Sequence, residues 1–203
     1  MPGLLVLTDR SMCRRNLIEA VTVAVEHGAR AVVLREKDLP APDRRRLVRD
    51  VRAVVAAAGG VVIVAGPSGN AVHLSADDGF PTPRPILVGR SCHTPDEVAR
   101  ATAERCDYVT LSPVFPTPSK PGYGPPLGLS GLAALIHTTP SAYALGGVLP
   151  DDVPGCLAAG AYGVAVMGPI MRDPRIVAEY LAAMAVPAAA SGGRAREPLS
   201  PPP

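Results

Sequence analysis

Tryptophan is missing from this 203-residue chain, and only two phenylalanines and five tyrosines supply its rings. So few aromatics exclude a base-stacking platform for nucleic acid. The formal net charge of +2 gives no strong reason to expect nucleic acid as a partner. No apolar run approaches the roughly 20 residues that span a bilayer. The start, MPGLLVLTDRSMC, lacks a basic opening, and its apolar run stops at Thr8-Asp9, unlike a secretory leader. The four cysteines, Cys13, Cys92, Cys106 and Cys156, never fall in CxxC spacing. Free thiols in a reducing compartment are therefore expected, not a thiolate metal or redox site. These absences predict a cytoplasmic protein with neither nucleic acid nor membrane as partner, and they leave homo-oligomerisation open.

What the chain does have is a rhythm. Short β-branched runs recur at 4–8, 31–35, 61–65, 71–74, 85–89, 107–112, 142–146 and 163–167. Several are apolar at nearly every position, as expected of parallel strands buried on both faces. Helical patterns fall between them at 16–28, 41–60, 94–105, 129–137, 149–160 and 173–185. The third of these opens on Thr94, Pro95 and Glu97, a capping box. Eight strands alternating with helices predict a (β/α)8 TIM barrel over residues 1–186. A doubly wound open sheet is the second choice, but no G-x-G-x-x-G follows the first strand. Only GPSGN (66–70) separates the third and fourth strands, too short for a crossover helix. The third helix is thus expected to be shortened or missing. Residues 187–203, rich in Ala, Gly, Pro and Ser, read as a disordered tail.

Barrel sites are built where the strands end. Here the second strand ends in LREK, which puts Arg35 and Lys37 on one face, a pairing suited to an anion such as a diphosphate. After the fourth strand come Asp77 and Asp78, a Mg²⁺ ligand pair or simply turn residues. His73 reads as a packed strand histidine. Ser91 closes the fifth strand. The sixth leads into SPVFPTPSKPGYGPP (112–126), whose six prolines stiffen a loop carrying Ser112, Thr117, Ser119 and Lys120. Gly146, Gly147 and Gly168 follow the last two strands, where barrels commonly let backbone N–H groups approach a phosphate.

In order along the chain, LTD, LREK, VHLSADD, VGRSCHT, DYVTLSPVFPTPSK, ALGGV and GVAVM resemble the thiamine phosphate synthase and thiazole tautomerase family. The resemblance implies a (β/α)8 barrel that joins hydroxymethylpyrimidine diphosphate to a thiazole phosphate and releases diphosphate. Carried over by position, it implies Arg35, Lys37 and Lys120 on the diphosphate and Ser91 at the reacting pyrimidine or the diphosphate. It implies Thr117, Ser119, Gly146, Gly147 and Gly168 around the thiazole phosphate, and Asp78 as a ligand of Mg²⁺. The substrates implied are small phosphorylated heterocycles.

The chain also departs from that pattern. Val33 stands where synthases usually carry Gln, Ala65 and Gly66 where they carry Asn-Asp, and Gly168 where they carry Ser. One carboxylate expected at Mg²⁺ is thereby lost. GRS and AVM look more like the tautomerase branch, which needs no metal and uses a His beside the sixth strand; Pro113 occupies that place here. A metal-independent tautomerase with Cys92 or His93 as substitute base, or a non-catalytic phosphate-ligand binder, are the alternatives.

Overall fold

The computed structural model describes residues 1–117, 125–137 and 141–186. Among them, eight parallel strands close into a barrel in sequence order: β1 (Leu4–Leu7), β2 (Ala31–Leu34), β3 (Val61–Ala65), β4 (Ala71–Leu74), β5 (Leu87–Cys92), β6 (Tyr108–Leu111), β7 (Ser141–Leu145) and β8 (Gly163–Val166). The helices are α1 (Leu17–Glu26), α2 (Ala41–Ala57), α3 (Pro95–Ala103), α4 (Gly128–Ile136), α5 (Val153–Ala158), α6 (Gly168–Arg172) and α7 (Val177–Ala185). The (β/α)8 expectation therefore holds. Ser119, Lys120 and the tail 187–203 lie outside the described residues.

Alternation along each strand sorts the hydrophobic residues into two cores. Leu5, Leu7, Ala31, Val33, Ile63, Ala65, Tyr108, Tyr143 and Ala165 fill the barrel interior. Leu4, Val6, Val32, Leu34, Val62, Val72, Leu74 and their neighbours pack outward, most of them against helices. Both faces being buried is why these strands read as continuous apolar runs. On β5 and β6 one pair sets the interior fit. Gly89 lies beside Tyr108, and a Cβ at Gly89 would sit 2.0 Å from that ring.

The third helix is missing, as residues 66–70 predict, yet the barrel stays closed and parallel. Register explains how. Val64 pairs with Val72 and Ala65 with His73, so β4 starts level with Ile63, only two residues below the end of β3. The chain needs to fall back about 7 Å, which five residues cover with ease. The fourth crossover, residues 75–86, also carries no helix. Pro81, Pro83 and Pro85 rule one out there.

Candidate active site

The C-terminal ends of β2 to β6 meet at one mouth. Arg35, one residue past β2, follows the inward positions Ala31 and Val33. Its Nη1 reaches across to the thioether of Met167 at the end of β8. Its backbone N–H donates to the Thr8 hydroxyl (3.0 Å), which donates to the buried carboxylate of Glu36 (2.7 Å). Glu36 also accepts from the Arg10 N–H. This lacing between the ends of β1 and β2 fixes the segment that carries Arg35 and Lys37. The sequence reading did not single out Glu36.

Lys37, which the resemblance puts on the diphosphate, and Asp78, which it puts on Mg²⁺, lie side by side: Nζ is 3.4 Å from Oδ2. The same Oδ2 accepts the Ser75 N–H at 2.8 Å. Burial raises the Asp78 carboxyl, but the Ser75 N–H and hydroxyl and the Lys37 ammonium outweigh it, and the net shift is downward. Asp78 is thus a carboxylate at neutral pH. Asp77 is exposed.

Inside the mouth, His73 bridges two strands. Its Nδ1 is 3.0 Å from the Tyr108 hydroxyl and its Nε2 is 2.9 Å from Ser91 Oγ. Burial, reinforced by Arg35 and Lys37, pushes the imidazole down to about 3. The ring is therefore neutral. One nitrogen donates and the other accepts, and Ser91 is held by a polar but uncharged partner. Thr110 Oγ1 adds a 3.5 Å contact to Ser91. Ser91 is at the mouth as expected, and His73 is the packed strand histidine the sequence suggested.

The loop that carries Asp78 has no helix behind it, and two arginines take over that work. Arg90, wholly buried on the outer face of β5, donates through Nη1 to the carbonyls of Ser75 (2.8 Å), Ala76 (3.0 Å) and Asp78 (2.9 Å). Arg100 of α3 donates to Ala76 and Asp78 as well. Glu104 receives both guanidinium groups, at 2.6 Å from Arg90 and 2.9 Å from Arg100. Sequence reasoning missed this cage. An arginine within a strand gives no sign of which carbonyls it will collect.

On the far side of the mouth, Gly146 (φ +94°) and Gly147 (φ +68°) turn the chain after β7. A Cβ on Gly147 would stand 2.4 Å from the Pro116 carbonyl, and one on Gly146 2.9 Å from Pro113 Cα. Glycine is therefore required for the loop after β6 to close against them. That closure is sealed by Val114 N–H to Leu145 O and Phe115 N–H to Gly146 O, both 2.9 Å. Half-buried Thr117 follows directly. Gly168 is buried at the start of α6, with the Arg172 guanidinium alongside.

The two substitute bases fare differently. Cys92 is buried, its Sγ is 3.5 Å from the Glu97 carbonyl of α3, and burial pushes its thiol up to about 12. It points away from the mouth and cannot act as a base there. His93 follows β5, and its ring lies against the residue after β6, with Nδ1 2.6 Å from the Ser112 carbonyl. Among the described residues no group of three or more His, Cys, Asp or Glu forms a metal cage. Asp78 supplies one hard anionic oxygen donor, the least that Mg²⁺ accepts when phosphate oxygens and water complete its shell.

Fold and site together define a (β/α)8 barrel with a cationic mouth at the C-terminal ends of its strands. Comparison with known proteins narrows that class. Residues 4–170 match the family described as Thiamine monophosphate synthase. The chain belongs to that family. A Geobacter sulfurreducens protein, provisionally given as a thiamine-phosphate synthase, is 38% identical over 192 residues, 85% of this chain and 88% of its own. The thiamine-phosphate synthase of Moorella thermoacetica is 32% identical over 85% of this chain and 89% of its own. The thiamine phosphate pyrophosphorylase of Pyrococcus furiosus shares the fold with a TM-score of 0.77, covering 90% of this chain and 95% of its own at 23% identity. No helix among the described residues is long and apolar enough to cross a membrane.

Proposed function

We propose that the chain joins hydroxymethylpyrimidine diphosphate to a thiazole phosphate. In this reaction the bond from the pyrimidine methylene to the diphosphate oxygen breaks, and its electron pair leaves with the diphosphate. The methylene cation that remains is captured by the lone pair of the thiazole nitrogen. The protein's main task is to hold the charge that develops on the departing group. Arg35 and Lys37 are suited to it, and Lys120 joins them by the sequence pattern. Neutral His73 keeps Ser91 in place without adding a positive charge beside the forming cation. Thr117, Ser119 and the glycine turns at Gly146, Gly147 and Gly168 would receive the thiazole phosphate. Asp78 would hold Mg²⁺, which when bound supplies charge neutralisation to the diphosphate.

The observation that carries this reading is the Lys37–Asp78 pair beside Arg35, in a chain of this family. The test is product formation from both substrates, followed by chromatography, with Mg²⁺ and with EDTA. Mg²⁺-dependent thiamine phosphate is the expected result. A folded sample that makes none would overturn the reading. A second reading, a metal-independent thiazole tautomerase, draws on His93 lying against Ser112 beside Pro113. Isomerisation of a thiazole carboxylate phosphate in EDTA would support it. Binding of the phosphates without turnover of either kind would mark a non-catalytic relative.

A further inference from the structure

The end of β3 gathers a cation that the strand-end motifs do not include. Arg44 stands in the first turn of α2, where its N–H closes on the Pro40 carbonyl at 2.9 Å. Its Nη2 donates to the carbonyl of Ala65, the last residue of β3. Its Nε is shut off from solvent and has no hydrogen-bond acceptor. The next residue is Gly66, where a Cβ would lie 4.0 Å from Lys37 Cε. The side chains of Arg44 and Lys37 thus arrive at consecutive backbone positions. Ala65 and Gly66 add only a methyl group and a hydrogen to this corner. Among the described residues no carboxylate forms an ion pair with Arg44 or Arg35, while Lys37 shares Asp78.

Arg44 Nη1 makes no hydrogen bond among the described residues and is not shut off from solvent, so it is the donor left open to a ligand. A guanidinium that bonds a carbonyl in place of a carboxylate keeps its full charge. Its planar fork matches two phosphoryl oxygens at once. We propose that Arg44 is a fourth diphosphate-binding cation, after Arg35, Lys37 and Lys120, donating to phosphoryl oxygens beside Lys37 and supplying by direct charge what a carboxylate at the end of β3 would supply through a metal. The proposal rests on the diphosphate reading of the mouth.

The test is calorimetric titration of the whole protein with inorganic diphosphate in EDTA. The chains compared are the wild type, Arg44→Gln, Arg44→Lys, Lys37→Gln and, as a control, Arg45→Gln on the exposed side of the same helix turn. Arg44→Gln is expected to weaken diphosphate about tenfold or more, the scale of one charge-assisted bond. Arg44→Lys should recover part of the loss, and Arg45→Gln should bind as the wild type does. Melting curves run alongside; a purely structural Arg44 would move the midpoint and leave affinity alone, which would overturn the proposal. If Lys37→Gln weakens binding and Arg44→Gln does not, Arg44 has no such role and the mouth keeps its diphosphate reading. If neither weakens binding, that reading falls and the proposal with it. Equal losses in Arg44→Gln and Arg45→Gln would reduce the effect to bulk charge and overturn the proposal as well.

Discussion

Lys37 Nζ and Asp78 Oδ2 face each other at 3.4 Å across the ends of β2 and β4, a pair that is 41 residues apart in sequence. Both groups are partly exposed, so the pair contributes little to stability. In the proposed reaction the pair would place a cation and an anion where a metal–diphosphate complex needs both. Asp78→Asn should raise the Mg²⁺ concentration for half-maximal rate about tenfold or more while the melting midpoint barely moves. A Mg²⁺ titration of product formation checks this, and an unchanged half-saturation would remove Asp78 from the metal site.

His73 makes the second prediction. Its pKa falls to about 3 in the folded chain, from the ordinary value near 6.5. Between about pH 3 and 6.5 the unfolded ring takes up a proton that the native ring does not. Its contribution to stability is therefore complete above about pH 6.5 and is lost as pH falls toward 3. Nitrogen-15 shifts of the imidazole should remain those of a neutral ring at pH 5. A protonated ring at that pH would contradict the burial that the structure assigns it.

Removing Arg90 strands the Ser75 carbonyl, leaves those of Ala76 and Asp78 to Arg100 alone, and takes from the Glu104 carboxylate its shorter ion pair. Arg90→Ala should cost about 3–5 kcal/mol, the scale of breaking a buried pair. Arg100 is half-exposed, so Arg100→Ala should cost under about 1 kcal/mol. It should still raise the Mg²⁺ requirement, because the Asp78 carbonyl loses one of its two anchors. Denaturant unfolding and the same Mg²⁺ titration separate the two effects. An Arg100→Ala chain with wild-type Mg²⁺ response would show that the Arg90 side of the cage suffices.

Much of this could be seen in the sequence, and the limits have physical causes. All eight strands announce themselves because burial on both faces leaves little room for polar residues. Thr94, Pro95 and Glu97 predict the start of α3, and the capping box forms as expected. The missing third helix follows from chain length alone. The missing fourth is equally visible in Pro81, Pro83 and Pro85, but it is not among the expectations. The link from Ser91 through His73 to Tyr108 depends on inter-strand register, which local spacing does not encode. Arg44 and Arg90 are hidden for a related reason. Apart from Glu104 at Arg90, their partners are backbone carbonyls, which carry no residue identity.

Gly89→Ala should be among the most damaging small substitutions in the barrel. The added methyl would fall within 2.0 to 2.5 Å of the Tyr108 ring, which is locked by the ring of Tyr143 and by His73. Overpacking of this kind costs about 1–3 kcal/mol, or more where nothing can yield. Gly89→Ala combined with Tyr108→Leu should recover stability by making room, and a double-mutant cycle measures how much. An additive cycle would show that the two side chains do not compete for the same space.

The offset start of β4 also bears on the order in which the barrel assembles. Val64 meets Val72 across only eight residues and Val72 meets Val88 across sixteen, whereas Leu5 must find Ala165 from the opposite end of the chain. Closing a short loop costs less chain entropy, so hydrophobic contact is rewarded sooner there. The hypothesis is that the strip from β3 to β5 is the seed on which the rest of the cylinder grows, and that the β1–β8 seam zips last. Val64→Ala and Val72→Ala should then slow refolding with φ-values well above those of Leu5→Ala and Ala165→Gly. The opposite ranking would place the nucleus elsewhere.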